Sequence, residues 1–221
     1  MKPAQLAQLV FILIAALGVY SFGATARDGE QRKLCTPMCA LGPDYAARDR
    51  TAPDFELPLV GGGKGRLSDY RGKVVILNFW SKTCRPCLEE LPSLAELSNI
   101  LRSRGKNVVL LTLSTDESVD DAKATLESVL PDGVPFPVFV DSGADMVLDK
   151  YGTKLYPETW FIDPRGVIRA RVDGARDWSQ PIAIDFAESL VRPQACTLEF
   201  EGGKPRGAQA AICNDLGLLI Q

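Results

Sequence analysis

Histidine is missing from all 221 residues. Its absence excludes Ser–His and Cys–His catalysis, haem ligation by imidazole, and most zinc and copper sites. Excess positive charge is missing too. The formal net charge is −3, which argues against a nucleic-acid partner. Between Lys2 and Arg27 there is no charge of either sign. That gap holds the apolar run from Leu9 to Tyr20, followed by Ala24-Thr25-Ala26, small residues at the spacing a signal peptidase needs. The uncharged span is also just long enough to cross a bilayer as a helix. Residues 1–26 therefore read as a signal peptide or a membrane anchor, and the apolar run continuing through Phe22 favours the anchor. Either way the remainder is exported, to a periplasmic or other extracytoplasmic location.

What is present fits export. All six cysteines, Cys35, Cys39, Cys84, Cys87, Cys196 and Cys213, lie beyond the targeting segment. An even count in an oxidising compartment reads first as disulfides. Roughly 175 residues remain after the N-terminal region, enough for one domain with a proper core, so bridges are not needed merely to hold the fold. One pair stands apart. Cys84-Arg85-Pro86-Cys87 follows the apolar stretch Val74–Trp80 and opens a helical pattern. A thiol at a helix N-terminus faces unpaired N–H groups and the positive end of the dipole, which favour the thiolate. The thiolate is the nucleophile of disulfide exchange, and Arg85 beside it adds positive charge. Pro86 lacks an N–H and pre-sets φ for a first helical turn.

Along the chain, residues 27–51 are polar and mixed in charge and read as a linker. Phe55–Leu59 alternates before Gly61-Gly62-Gly63-Lys64-Gly65, a hairpin signal. The glycines lack the Gly-Lys-Ser/Thr of a phosphate loop. Val74–Trp80, apolar except at Asn78, predicts a central strand buried on both faces. A helix is expected from about Arg85 to Ser103, kinked at Pro92. A strand over 107–113, a helix over 119–130, a strand over 136–140 and a short helix over 144–151 follow. Two strands, 159–162 and 167–172, flank the turn Asp163-Pro164-Arg165-Gly166. A helix over 181–191 closes the pattern. Alternating strands and helices imply an α/β domain over residues 52–192, with parallel crossovers and a final antiparallel hairpin. Residues 193–221 form a cysteine-containing extension.

These pieces resemble, in order, the thioredoxin fold of exported TlpA/ResA/DsbE-like thiol-disulfide oxidoreductases. The resemblance rests on Ala52-Pro53-Asp54-Phe55, Leu67–Lys73, Asn78-Phe79-Trp80 before Cys84-x-Pro86-Cys87, Pro92, and Tyr156-Pro157-Glu158-Thr159-Trp160. The segment from about Ser118 to Pro135 matches the central insertion of that family, and the N-terminal hairpin completes the thioredoxin-like α/β pattern. The resemblance implies that Cys84 attacks, Cys87 resolves, Pro157 is cis opposite them, and Tyr156 offers backbone groups to a substrate strand. It implies that Glu90, three residues after Cys87 on one helical face, handles protons beneath the site. Asn78 stands where plain thioredoxin has a buried aspartate, which favours Glu90 for that task. Trp80, Thr83, Arg85, Pro86 and Tyr156 are the expected substrate contacts. Thr83 and Glu158 depart from the family pattern, and both are expected on the substrate-facing surface.

The implied activity is reduction of disulfides in exported proteins, with cytochrome c maturation as one setting. It needs no cofactor and no metal. The implied partners are a disulfide-containing exported substrate and a membrane thiol electron donor. A disulfide-forming oxidase is the alternative. A thiol peroxidase of the same fold would carry Pro-x-x-x-Thr-x-x-Cys, but Leu77 stands at the proline and Ser81 at the threonine. A copper chaperone acting through Cys35 and Cys39 would also need a histidine. Four cysteines allow three pairings. Bonds within Cys35/Cys39 and within Cys196/Cys213 are expected first, and cross-links between the tether and the extension second.

Overall fold

A computed structural model describes residues 3–41, 51–105, 107–191, 198–201, 204–207 and 210–215. Its centre is β3 (Val74–Trp80), whose seven residues are all buried. Such a strand needs both faces covered, and the apolar run supplies both. On one side β3 pairs in parallel with β4 (Val108–Ser114), which pairs in parallel with β5 (Val138–Val140). On the other it pairs antiparallel with β6 (Glu158–Ile162), which pairs with β7 (Ile168–Asp173). The sheet order is β5-β4-β3-β6-β7. The expected parallel crossovers and closing antiparallel hairpin are both present. The turn between β6 and β7 is built on Asp163, whose Oδ1 accepts the N–H groups of Arg165 and Val167. Gly166 completes it at φ +82°, a conformation that favours glycine.

Side chains alternate across β3. Val74, Ile76 and Trp80 share a core with Leu91, Leu94, Leu97 and Leu101 of α2 (Arg85–Ser103), with Ala122 and Leu126 of α3 (Val119–Val129), and with Ile184 and Phe186 of α4 (Pro181–Ser189). Val75, Leu77 and Phe79 face a second core of Phe55, Leu67, Phe139, Tyr151 and Trp160. The antiparallel hairpin of β1 (Glu56–Pro58) and β2 (Lys64–Arg66) borders this second face. The expected helix over 144–151 is a π-helical turn, Met146–Tyr151, ended by Gly152 at φ +77°.

The ends of the chain differ from expectation. The stretch expected as a tether continues the N-terminal helix, so that α1 runs unbroken from Pro3 to Leu41. Residues 42–50 lie outside the described part. Within α1, Gln8–Arg27 is apolar enough to span a membrane, and none of it is buried against the domain. Further along, Cys35 and Cys39, one turn apart, enter the first core, and α1 packs against α4 and α5 (Ala211–Asp215). Cys39 is bonded to Cys213, across 174 residues, with Cα atoms 5.3 Å apart. The pairings expected first, within Cys35/Cys39 and within Cys196/Cys213, are thereby both corrected, and the cross-link between tether and extension expected second is present. The reason is that α1 does not stop where its apolar span ends: it docks on the domain beside the C-terminal extension. Cys35 is also disulfide-bonded, and Cys196 lies outside the described residues. The extension adds a small antiparallel pair, β8 (Glu199–Glu201) and β9 (Lys204–Arg206).

A bond closing so long a loop restricts the unfolded chain strongly. Replacing Cys39 and Cys213 together by serine should lower unfolding free energy by roughly 2–5 kcal/mol. The check is the urea midpoint of the oxidised protein, and an unchanged midpoint contradicts the staple.

Candidate active site

Cys84 is the N-cap of α2, and its Sγ accepts the backbone N–H of Cys87 at 3.2 Å. The two sulfurs are joined in a disulfide. Cys87 is fully buried and Cys84 half-buried. An incoming group can therefore reach only the first sulfur. Once reduced, Cys84 would sit where helix N–H groups and the dipole stabilise a thiolate. Pro86 lies in the first turn, where its missing N–H costs nothing. Arg85, next to Cys84 in the chain, is exposed and paired along the helix. Its Nε donates to Glu89 Oε1 at 2.9 Å, one turn along the exposed face. Its charge is thus partly offset.

One turn beyond Cys87, Glu90 is 3% exposed. Its Oε1 accepts from Asn78 Nδ2 at 2.7 Å. Its Oε2 accepts from Trp178 Nε1 at 3.0 Å and from the Arg176 backbone N–H at 3.1 Å. Burial disfavours the carboxylate and outweighs these three donors, so the carboxyl is pushed up to about 7. Asn78 Nδ2 also donates to Thr159 Oγ1 at 3.0 Å, while its Oδ1 is buried without a partner. Asn78 thus links α2 to β6 beneath the cysteines.

Cys84 opens onto a groove of about 720 Å³. Thr83, Arg85, Pro86 and Tyr156 line it, together with Lys154 and Leu155. The Tyr156–Pro157 bond is cis, as expected. The floor of the groove is tied down by Asp116, whose Oδ1 accepts the Lys82 backbone N–H at 2.7 Å. The Lys82 ammonium bridges Glu117 and Asp121, and these bonds push it up to about 12. Two expectations fail here. Trp80 contacts no substrate surface: it is wholly buried, its Nε1 donating to Thr112 Oγ1 at 3.2 Å. Strand alternation turns it toward α2 instead. Glu158 is 4% exposed rather than surface-facing. Thr153 Oγ1 donates to its Oε1, Arg171 stands 3.9 Å from its Oε2, and burial pushes it up to about 7.

Trp178 and the Arg176 N–H escaped the reading of the sequence. The one available signal was a tryptophan between Asp177 and Ser179, an apolar ring in a polar turn.

Because Glu90 binds its proton more tightly in the folded chain, it stabilises the fold below its unfolded pKa of about 4.5. That contribution is lost as pH rises through about 7. Urea unfolding of the oxidised protein should therefore show the wild type losing about 2–3 kcal/mol more than Glu90→Gln between pH 5 and pH 8. Equal losses would contradict a buried, proton-holding Glu90.

The arrangement matches known proteins. The AhpC/TSA family matches residues 49–171. The thiol-disulfide oxidoreductase ResA of Bacillus subtilis is 30% identical over 186 residues, covering 84% of this chain and 90% of that protein. ResA of Geobacillus thermodenitrificans is 37% identical over 125 residues, 56% of this chain and 68% of that protein. Among solved structures, one assigned as the thiol:disulfide interchange protein DsbE of Chlorobium tepidum superposes with a TM-score of 0.57 at 26% identity. It covers 66% of this chain and 99% of that one. With the Cys84–Cys87 pair capping α2 of a thioredoxin-like sheet, the chain belongs to the AhpC/TSA family and is a ResA-like thiol-disulfide oxidoreductase.

Proposed function

We propose that this protein is a membrane-anchored, extracytoplasmic reductant of protein disulfides, acting through Cys84 and Cys87. The observation that carries the reading is the asymmetry of the pair, with Cys84 Sγ open to the groove and Cys87 sealed behind it. In the reduced protein the Cys84 thiolate attacks a substrate S–S bond. A mixed disulfide forms and one substrate thiolate leaves. Cys87 then gives up its proton and attacks Cys84 Sγ. The second substrate thiolate leaves, and two electrons have passed from the dithiol to the substrate. Glu90, on the same helix and buried with Cys87, takes the proton that Cys87 sheds. A carboxyl near 7 suits that role at neutral pH. Cis-Pro157 and Tyr156 present the backbone along which a substrate strand lies.

The apolar span Gln8–Arg27 supports anchoring, with the catalytic domain on the outer face. A membrane thiol carrier is the proposed donor that returns two electrons to Cys84–Cys87. Suitable substrates are exported proteins whose cysteines must be free before a haem or a metal is attached, apocytochrome c among them.

The reduced protein should reduce insulin, Cys84→Ser should abolish the activity, and Cys87→Ser should accumulate a mixed disulfide. Glu90→Gln should slow resolution by about 10²-fold and remove the inflection near pH 7 from the rate profile. Direction is read from the reduction potential of Cys84–Cys87. A value near thioredoxin's, about −270 mV, supports the reductant, and one near DsbA's, about −120 mV, overturns it.

A further inference from the structure

The reductant reading uses Glu90 but leaves a second buried carboxyl, Glu158, without a task. It directly follows Pro157, on the sheet face opposite Glu90, in register with Phe79 of β3 and Asp173 of β7. Thr153, fully buried, donates its hydroxyl to Glu158 Oε1. These two residues bracket the segment that forms one wall of the groove, Lys154, Leu155 and Tyr156. Elsewhere the segment is moored at Tyr156, which is half-buried against both cores and hydrogen-bonded through its side chain to Thr115, and at its two ends. Thr153 N–H reaches Val147 O at 3.1 Å, and Pro157 O accepts Gly174 N–H at 3.0 Å. Between those points Leu155 is 82% exposed, an apolar side chain standing at the rim of the groove. Arg171 holds the far side of the clasp. It stands 3.9 Å from Glu158 Oε2, while its Nη2 donates to Asp173 at 3.0 Å.

We infer that Glu158 is a positioning residue for substrate: through Thr153 it clasps the base of the 153–158 loop and so fixes Leu155, Tyr156 and Pro157 for docking an extended polypeptide. Nothing in the clasp touches the sulfurs. It acts on substrate binding, whereas Glu90 acts on proton transfer. A small disulfide that needs no docking strand does not depend on it.

The inference rests on the protein-reductant reading, and two probes separate the two. Reduced wild type, Thr153→Val and Thr153→Ser are assayed against insulin and against 5,5′-dithiobis(2-nitrobenzoate), with thermal midpoints recorded. Loss of the hydroxyl should raise KM for insulin five- to tenfold, the size expected for one buried hydrogen bond, with kcat unchanged. The rate with the small disulfide and the reduction potential should stay as in wild type. Thr153→Ser, which keeps the donor, should restore KM. An unchanged KM in Thr153→Val overturns the inference while leaving the reductant reading standing. So does a parallel fall on both probes that tracks the thermal midpoint, since that is a general loss of structure. A wild-type protein that reduces the small disulfide but leaves insulin untouched overturns the protein-substrate reading and the clasp with it.

Discussion

The elements behind the cysteines are joined through one buried carboxyl held by three donors. Glu90 lies on α2 and takes its hydrogen bonds from Asn78 on β3, from the Arg176 backbone and from the Trp178 indole. The same side chain therefore joins the helix that carries the cysteines, the central strand, and the loop that leads into α4. Burial and hydrogen bonding pull its proton affinity in opposite directions. Burial wins, but not by so much that the group stays neutral at every physiological pH. A carboxyl left in water would be ionised throughout this range and could not exchange a proton with a thiol near neutrality. One buried with no donors would be a costly unpaired group. The three donors keep Glu90 between those limits.

Two carboxyls of this kind flank the central sheet, one on each face. Glu90 is set among α2, β3 and the loop before α4, and Glu158 lies across β6 against Thr153 and Arg171. On the proposed function, the division matches the two tasks that disulfide exchange sets. One is to move a proton where sulfur bonds break, and the other is to hold a polypeptide so that its disulfide meets Cys84. The domain is itself fastened to the apolar helix. α1 packs on α4 and α5, and Cys39–Cys213 locks the contact. Cys39 lies 12 residues beyond Arg27, on the order of 18 Å of helix. The domain is thereby held close to the end of the apolar span.

Much of this was legible in the chain. Mostly apolar runs at Val74–Trp80 and 107–113 announced the paired central strands, and the thiols at the start of a helical pattern announced the exchange site. Pro157 and Glu90 came from a family resemblance, and the structure puts the first in a cis bond and buries the second. What escaped depends on facing and on long-range contact. Trp80 ends a strand buried on both faces, and only the pleat decides that it turns to α2. Glu158 departs from the family pattern after the cis-proline, and that place sent it to the substrate-facing surface; its burial depends on Thr153 and on Arg171 two strand positions from Asp173. The pairing of Cys39 with Cys213 requires a helix whose length is masked by its polar second half. Trp178 and the Arg176 N–H reach Glu90 across more than 80 residues, a distance no local pattern spans.

The most direct test of this account is to follow the side-chain carboxyl carbon of Glu90 by NMR across pH in the oxidised protein, using Glu90→Gln to assign the signal. The account predicts a titration near pH 7. A midpoint near the ordinary value of about 4.5 would show that Glu90 is solvated and ionised, and would contradict its role as the proton partner of the cysteine pair.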